Sequence, residues 1–119
     1  MAQKDVDPLT LQAAAHKGGM SGKGGPRPPA RAARQLETDR VRVTEWRFAP
    51  GAATGQHRHE FDYVVVPLTT GRLLLAEPEG DRFSELTIGG SYARPAGVEH
   101  DVINVNDFEF AFIEIEIKK

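Results

Sequence analysis

The 119-residue chain has no cysteine. Disulfides, thiolate metal ligands and thiol nucleophiles are therefore excluded, and any metal must be held by nitrogen and oxygen. No apolar run approaches the roughly 20 residues of a membrane-spanning helix. The first residues include Asp5 and Asp7 and no apolar core segment, so a secretory signal is not expected, and a cytoplasmic protein is. There is no strong charge of either sign: the formal net charge is −2. Nothing overall argues for nucleic acid or an anionic membrane as partner. No Ser/His/Asp set is visible, and no glycine loop of the phosphate-cradling kind.

The near-neutral total hides an asymmetry. Lys4, Lys17, Lys23, Arg27, Arg31 and Arg34 make the N-terminal segment basic, while the remainder is acidic. Residues 1–35 read as a basic Gly/Pro-rich arm. Asp7-Pro8 is a helix start, and Leu9 through His16 has room for about two turns before Gly18-Gly19 stops it. From Lys17 to Arg34 the segment has little to bury and is expected to be extended or disordered. Such an arm could also dock on a second subunit. His16 lies in it and is assigned no role.

Residues 36–119 read as one β domain. Eight short strands are expected, at Arg40–Phe48, Gln56–His59, Tyr63–Leu68, Arg72–Ala76, Arg82–Ile88, Ser91–Arg94, Val98–Val105 and Phe108–Ile117. Gly, Pro, Asp and Thr turns separate them. Strands this short and this evenly spaced predict a sandwich or barrel. In the last strand the apolar parity flips between Phe108, Phe110, Phe112 and Ile113, Ile115, Ile117. Either a bulge or an apolar outer face covered by another subunit accounts for that. Trp46 and Phe48 are read as core or pocket wall, and Arg94 as a partner for a substrate carboxylate or a surface salt bridge.

Three of the four histidines stand in two stretches, Gly55-Gln56-His57-Arg58-His59 and Pro95-Ala96-Gly97-Val98-Glu99-His100. His57 and His59 share one face of a strand, and His100 follows a Pro-x-Gly turn. If the strands are neighbours, three imidazoles converge as a transition-metal site. Counting by twos brings Tyr63 to the same face, whereas Asp62 and Glu60 have the wrong parity.

The spacing Gly89-x5-Pro95-x-Gly97-x2-His100-x3-Asn104 resembles the second motif of the cupin superfamily at every defining position. Gly51-x5-His57-x-His59, reaching Gly71, resembles the first. It departs where the family has a metal-binding Glu, since Tyr63 and Val64 stand there. The resemblance spans roughly residues 38–117, and His57 through Leu68 is similar to small bacterial cupins of β-alanine degradation. It implies an all-β, cupin-type jelly-roll β-barrel with an N-terminal arm. It also implies one divalent transition metal (Fe, Mn, Zn or Ni) on His57, His59 and His100. Asn104 is expected to tie down backbone. Gly51, Gly71, Gly89 and Gly97 are expected at turns with positive φ or tight packing. Tyr63 is the catalytic candidate, and whether it or Asp62 takes the place of the absent Glu stays open.

Two functions follow. One is a metal-dependent enzyme, dioxygenase-like or Lewis-acid, acting on a small carboxylate or amino-acid-derived metabolite; three-His iron is what thiol dioxygenases of the superfamily use. The alternative is a non-catalytic small-molecule binding or sensor cupin. In either case a homodimer is expected, with a small molecule as its ligand or substrate.

Overall fold

A computed structural model describes residues 27–118, and every helix or strand assigned among them is a strand. The strands are β1 (Arg31–Glu37), β2 (Val41–Phe48), β3 (His57–Arg58), β4 (Asp62–Pro67), β5 (Gly71–Glu77), β6 (Gly80–Leu86), β7 (Tyr92–Arg94), β8 (Glu99–Asn104) and β9 (Phe110–Ile117). They form a five-stranded sheet in the order β1-β2-β9-β4-β7 and a four-stranded sheet in the order β3-β8-β5-β6. All named strand pairs are antiparallel. The chain passes repeatedly from one sheet to the other, which is the expected jelly-roll architecture.

All eight expected strands are present, and β1 is an addition. It pairs with β2 from Arg31 to Glu37, with a register shift between Arg34 and Leu36. It therefore spans the expected arm–barrel boundary at residue 35. Composition had hidden it, because Arg-Ala-Ala-Arg has little β propensity of its own. The neighbouring β2 supplies the ladder, and Ala30 and Ala32 enter the core. The expected helix over Leu9–His16 lies outside the described residues.

The core is the space between the sheets. Trp46 and Phe48 of β2, Phe110 and Phe112 of β9, and Val65 of β4 meet Leu73, Leu75, Leu86 and Val102 of the other sheet. The Phe48 and Phe112 rings lie 5.6 Å apart at 38°. Each such side chain contributes about 1.5–3 kcal/mol by leaving water.

β9 carries no bulge. Its register runs unbroken against β2 from Phe110 to Ile117 and against β4 from Phe112 to Ile117. Phe110 and Phe112 face inward, so Ile113, Ile115 and Ile117 face outward. Val43, Ile115 and Val64 stand in one row across three strands, with Ile113 and Val66 beside them. Of the two explanations for the parity flip, the bulge is excluded and the apolar outer face is real.

The link from β2 to β3 positions the site. It runs along β8 through hydrogen bonds from Gly51 N to Asn104 O (2.9 Å), from Asn104 N to Ala52 O (2.9 Å) and from Thr54 N to Val102 O (3.0 Å). Asn104 is fully buried. Its amide nitrogen lies 3.1, 3.2 and 2.9 Å from the carbonyls of Phe48, Ala49 and Phe108. It clamps backbone, as expected. Gly97, at φ +96°, makes the turn before His100. Gly71 is needed for space, since a Cβ there would lie 2.9 Å from Asn106 Oδ1.

Candidate metal centre

β3 and β8 are antiparallel neighbours, and His57 stands directly opposite His100. Opposed residues on such a ladder share a face. His59 lies just past β3 and stays in line: its N–H donates to Val98 O (2.9 Å), and its carbonyl accepts from Gly97 N (2.8 Å). The three rings sit edge-on to one another, with centroids 4.8, 4.9 and 5.0 Å apart. His59 Nε2 is 3.1 Å from His57 Nε2 and 3.1 Å from His100 Nε2. The structure thus brings the three sequence-identified histidines to one point.

The donor chemistry suits a cation. His57 Nδ1 lies 2.8 Å from Gly55 O. A carbonyl only accepts, so Nδ1 carries the hydrogen and Nε2 is a bare lone pair. The arrangement is anchored by Asp101, whose buried Oδ1 accepts from Gly55 N at 2.9 Å. One N–H cannot satisfy three facing Nε2 atoms, whereas a single cation can. A first-row ion holds imidazole nitrogens at about 2.0–2.1 Å, which sets nitrogens around one ion about 2.9–3.4 Å apart. Burial, joined by the neighbouring His57, His59 and Arg94, pushes His100 down to about 2. Burial, with His57 and Arg94, takes His59 down to about 3. His57 is also lowered, mainly by burial. All three are neutral imidazoles at physiological pH, the form that ligates.

Tyr63 reaches the site as parity predicts, and its ring stacks face-on upon His59, with centroids 3.9 Å apart at 18°. Its hydroxyl is buried without a hydrogen-bond partner among the described residues. Burial pushes the phenol above its usual range, so it remains protonated. Asp62 points elsewhere: its carboxylate accepts from Ala96 N at 2.8 Å and holds the turn before His100. Glu60 is exposed.

One group at the site has no counterpart in the sequence reading. Glu114 of β9 is buried, with one carboxylate oxygen accepting from Trp46 Nε1 (3.1 Å) and the other 3.5 Å from His59 Nδ1. Burial, aided by nearby Glu116, raises it to about 7. Because His59 is neutral, this contact is not an ion pair. The signal was available in parity, since Glu114 is two residues beyond inward-facing Phe112. Trp46, expected as core or wall, is both. Arg94 of β7 stands opposite Tyr63 in the five-stranded sheet. Its guanidinium is 3.7 Å from Glu77, whose carboxylate is engaged more closely by Arg82 at 2.9 and 3.3 Å. A cavity of about 490 Å³ is lined by the three histidines together with Trp46, Tyr63, Arg94 and Glu114. Among the described residues no helix is long and apolar enough to cross a membrane.

No family model matches the chain. The β-alanine degradation protein BauB of Pseudomonas aeruginosa is 60% identical over 92 residues, covering 77% of this chain and 97% of BauB. The crystal structure of a cupin domain from Bordetella pertussis is 61% identical, covers 81% of this chain and all of that domain, and superposes with a TM-score of 0.79. The polyketide cyclase RemF of Streptomyces resistomycificus shares the fold at 22% identity and a TM-score of 0.62, over 78% of this chain and 70% of RemF. With two cupin motifs on a jelly roll and relatives this similar over most of its length, the chain belongs to the cupin superfamily, in the same family as BauB.

Proposed function

We propose that the chain binds one divalent transition metal through His57, His59 and His100, and acts as a metal-dependent enzyme on a small carboxylate or amino-acid-derived metabolite. The observation that carries this reading is the cluster of three Nε2 atoms, two pairs of them 3.1 Å apart, in the lining of the cavity. A metal held there supplies Lewis acidity or, as iron, oxygen chemistry. The surrounding residues divide the remaining tasks. Arg94, only loosely paired with Glu77, is placed to take a carboxylate. Tyr63, the catalytic candidate, holds its protonated hydroxyl as a donor and not as a phenolate ligand. Trp46 and Phe112 line the cavity with apolar surface that limits water. The name of BauB, which places that relative in β-alanine degradation, supports a small amino-acid-derived substrate.

The working unit in this reading is a homodimer. The outward row of Val43, Ile115 and Val64 is an apolar patch of the kind a two-fold interface buries.

The test is elemental analysis of protein purified without chelator, then anaerobic Fe(II) loading and oxygen-uptake assays across small thiols and β-amino acids. One ion per chain is expected, with uptake on at least one substrate. Absence of metal overturns the metal site. Iron-loaded protein without uptake on any of them overturns the dioxygenase branch and leaves Lewis-acid chemistry to be assayed with Zn and Mn.

A further inference from the structure

We propose that Glu114, oriented by Trp46, is a positioning residue that fixes the tautomer of His59 and so presents its Nε2 as a lone pair to a metal. The consequence for metal rests on the reading above, and the tautomer assignment rests on the 3.5 Å approach of the Glu114 carboxylate, in its ionised form, to His59 Nδ1.

Glu114 lies on the inner face of the five-stranded sheet, opposite Thr44 on one side and Val65 on the other. Such a position ordinarily takes an aliphatic residue, because burying a carboxylate is costly unless something needs it. Two groups use this one. The indole N–H of Trp46 can only donate, and it occupies Oε1 at 3.1 Å. That directs Oε2 to His59 Nδ1, 3.5 Å away. When ionised, the carboxylate only accepts, so its approach favours the hydrogen of His59 on Nδ1 and the lone pair on Nε2. Tyr63 stacks on the same ring and prevents it from tilting away. The logic repeats that of His57, where Gly55 O accepts from Nδ1. There the acceptor is backbone two residues away; for His59 it is a side chain from the facing sheet. The Nδ1–H of an imidazole bound through Nε2 is more acidic, which raises the worth of the facing carboxylate. Glu114 thus also places negative charge near a centre whose ligands are all neutral.

The orientation imposed by Trp46 makes the proposal unusually easy to break. In E114Q the amide oxygen must take the indole N–H, which leaves the amide NH2 facing His59 Nδ1. That favours hydrogen on Nε2 and blocks ligation. Removing the indole N–H in the Trp46→Phe, Glu114→Gln double variant frees the amide to turn its oxygen to His59. The experiment records nitrogen-15 NMR of the imidazoles in metal-free protein in mildly alkaline buffer, and Zn affinity by chelator competition. Wild type is expected with His59 hydrogen on Nδ1. E114Q should move it to Nε2 and weaken Zn binding by about 10- to 100-fold. The double variant should restore the Nδ1 tautomer and recover most of the affinity. A purely structural role predicts the reverse order, because the double variant disturbs more packing. An E114Q protein with unchanged tautomer overturns the proposal, and so does a double variant no better than E114Q. Wild type that binds no Zn, but shows the tautomer pattern, overturns the metal reading and leaves the role of Glu114 standing.

Discussion

The two sheets contribute to the site in different ways. The four-stranded sheet brings the imidazoles, His57 and His59 from the β3 edge and His100 from β8. The five-stranded sheet brings what faces them: Trp46 from β2, Tyr63 from β4, Arg94 from β7 and Glu114 from β9. In the first sheet the functional atoms are set by strand register, since one ladder places His57 against His100. In the second they are set by how one sheet lies on the other, and they come from four separate strands. The lesson is that ligands and their support obey different constraints. Changes in the first sheet should abolish a property, and changes in the second should grade it.

The largest expected effect is on the first sheet. His57→Ala or His100→Ala should take metal content from one ion per chain to near none in elemental analysis, with the far-ultraviolet spectrum unchanged. Retained metal would remove the distinction between the sheets. Next is a change to the inner face of the second sheet. Phe48 is fully buried against Phe112 and Trp46, so Phe48→Ala should cost about 3–5 kcal/mol in denaturant unfolding. The outer face of the same sheet should respond differently. If the proposed dimer forms through this face, Ile115→Lys should turn it to monomer in sedimentation velocity while leaving the metal content intact.

A smaller effect comes with pH. In metal-free protein His59 and His100 have folded values near 3 and 2, below the ordinary 6.5, so the unfolded chain binds more protons between these limits. Their stabilising effect is complete above 6.5 and is lost as pH falls. Glu114, raised from 4.5 to about 7, acts oppositely over that range and favours the folded state as pH drops. His57 is lowered as well, so three imidazoles stand against one carboxylate and leave a net loss of about 1 kcal/mol or more per pH unit between 6.5 and 4.5, measurable by chemical denaturation. Stability rising on acidification would show that the second-sheet carboxylate outweighs the first-sheet imidazoles. The smallest effect lies away from both faces of the site. Arg72 and Glu85 pair at 2.6 Å with both side chains more than half exposed, and Arg72→Ala should cost under about 1 kcal/mol in the same assay.

Much of the four-stranded sheet was legible in the chain. Pro95, Gly97, His100 and Asn104 carry local demands, such as a positive φ at Gly97 and an amide that clamps loop carbonyls, and local demands leave spacing signatures. Tyr63 was placed on the correct face by counting in twos, and Asp62 was rightly set on the other. β1 was missed because Arg31 to Glu37 is held by pairing with β2 and not by its own composition. Glu114 was missed for a sharper reason. Ile113-Glu114-Ile115-Glu116-Ile117 left open whether a bulge turns the isoleucines inward or they form an outer face, and only the second puts Glu114 inside. The register of β9 decides for the second, because Phe110 and Phe112 take the core and parity carries Glu114 in behind them.

The sequence by itself determined the architecture and the three histidines, because alternation, turn residues and motif spacing are properties of neighbours along the chain. Only the tertiary structure decided which face of β9 is inward, that Tyr63 lies flat on His59, and that a carboxylate from the far sheet stands behind that ring. A strand pattern repeats every two residues, so it defines two faces without saying which is buried. That choice is made when the sheets pack, and here it puts Glu114 inside and an isoleucine row outside.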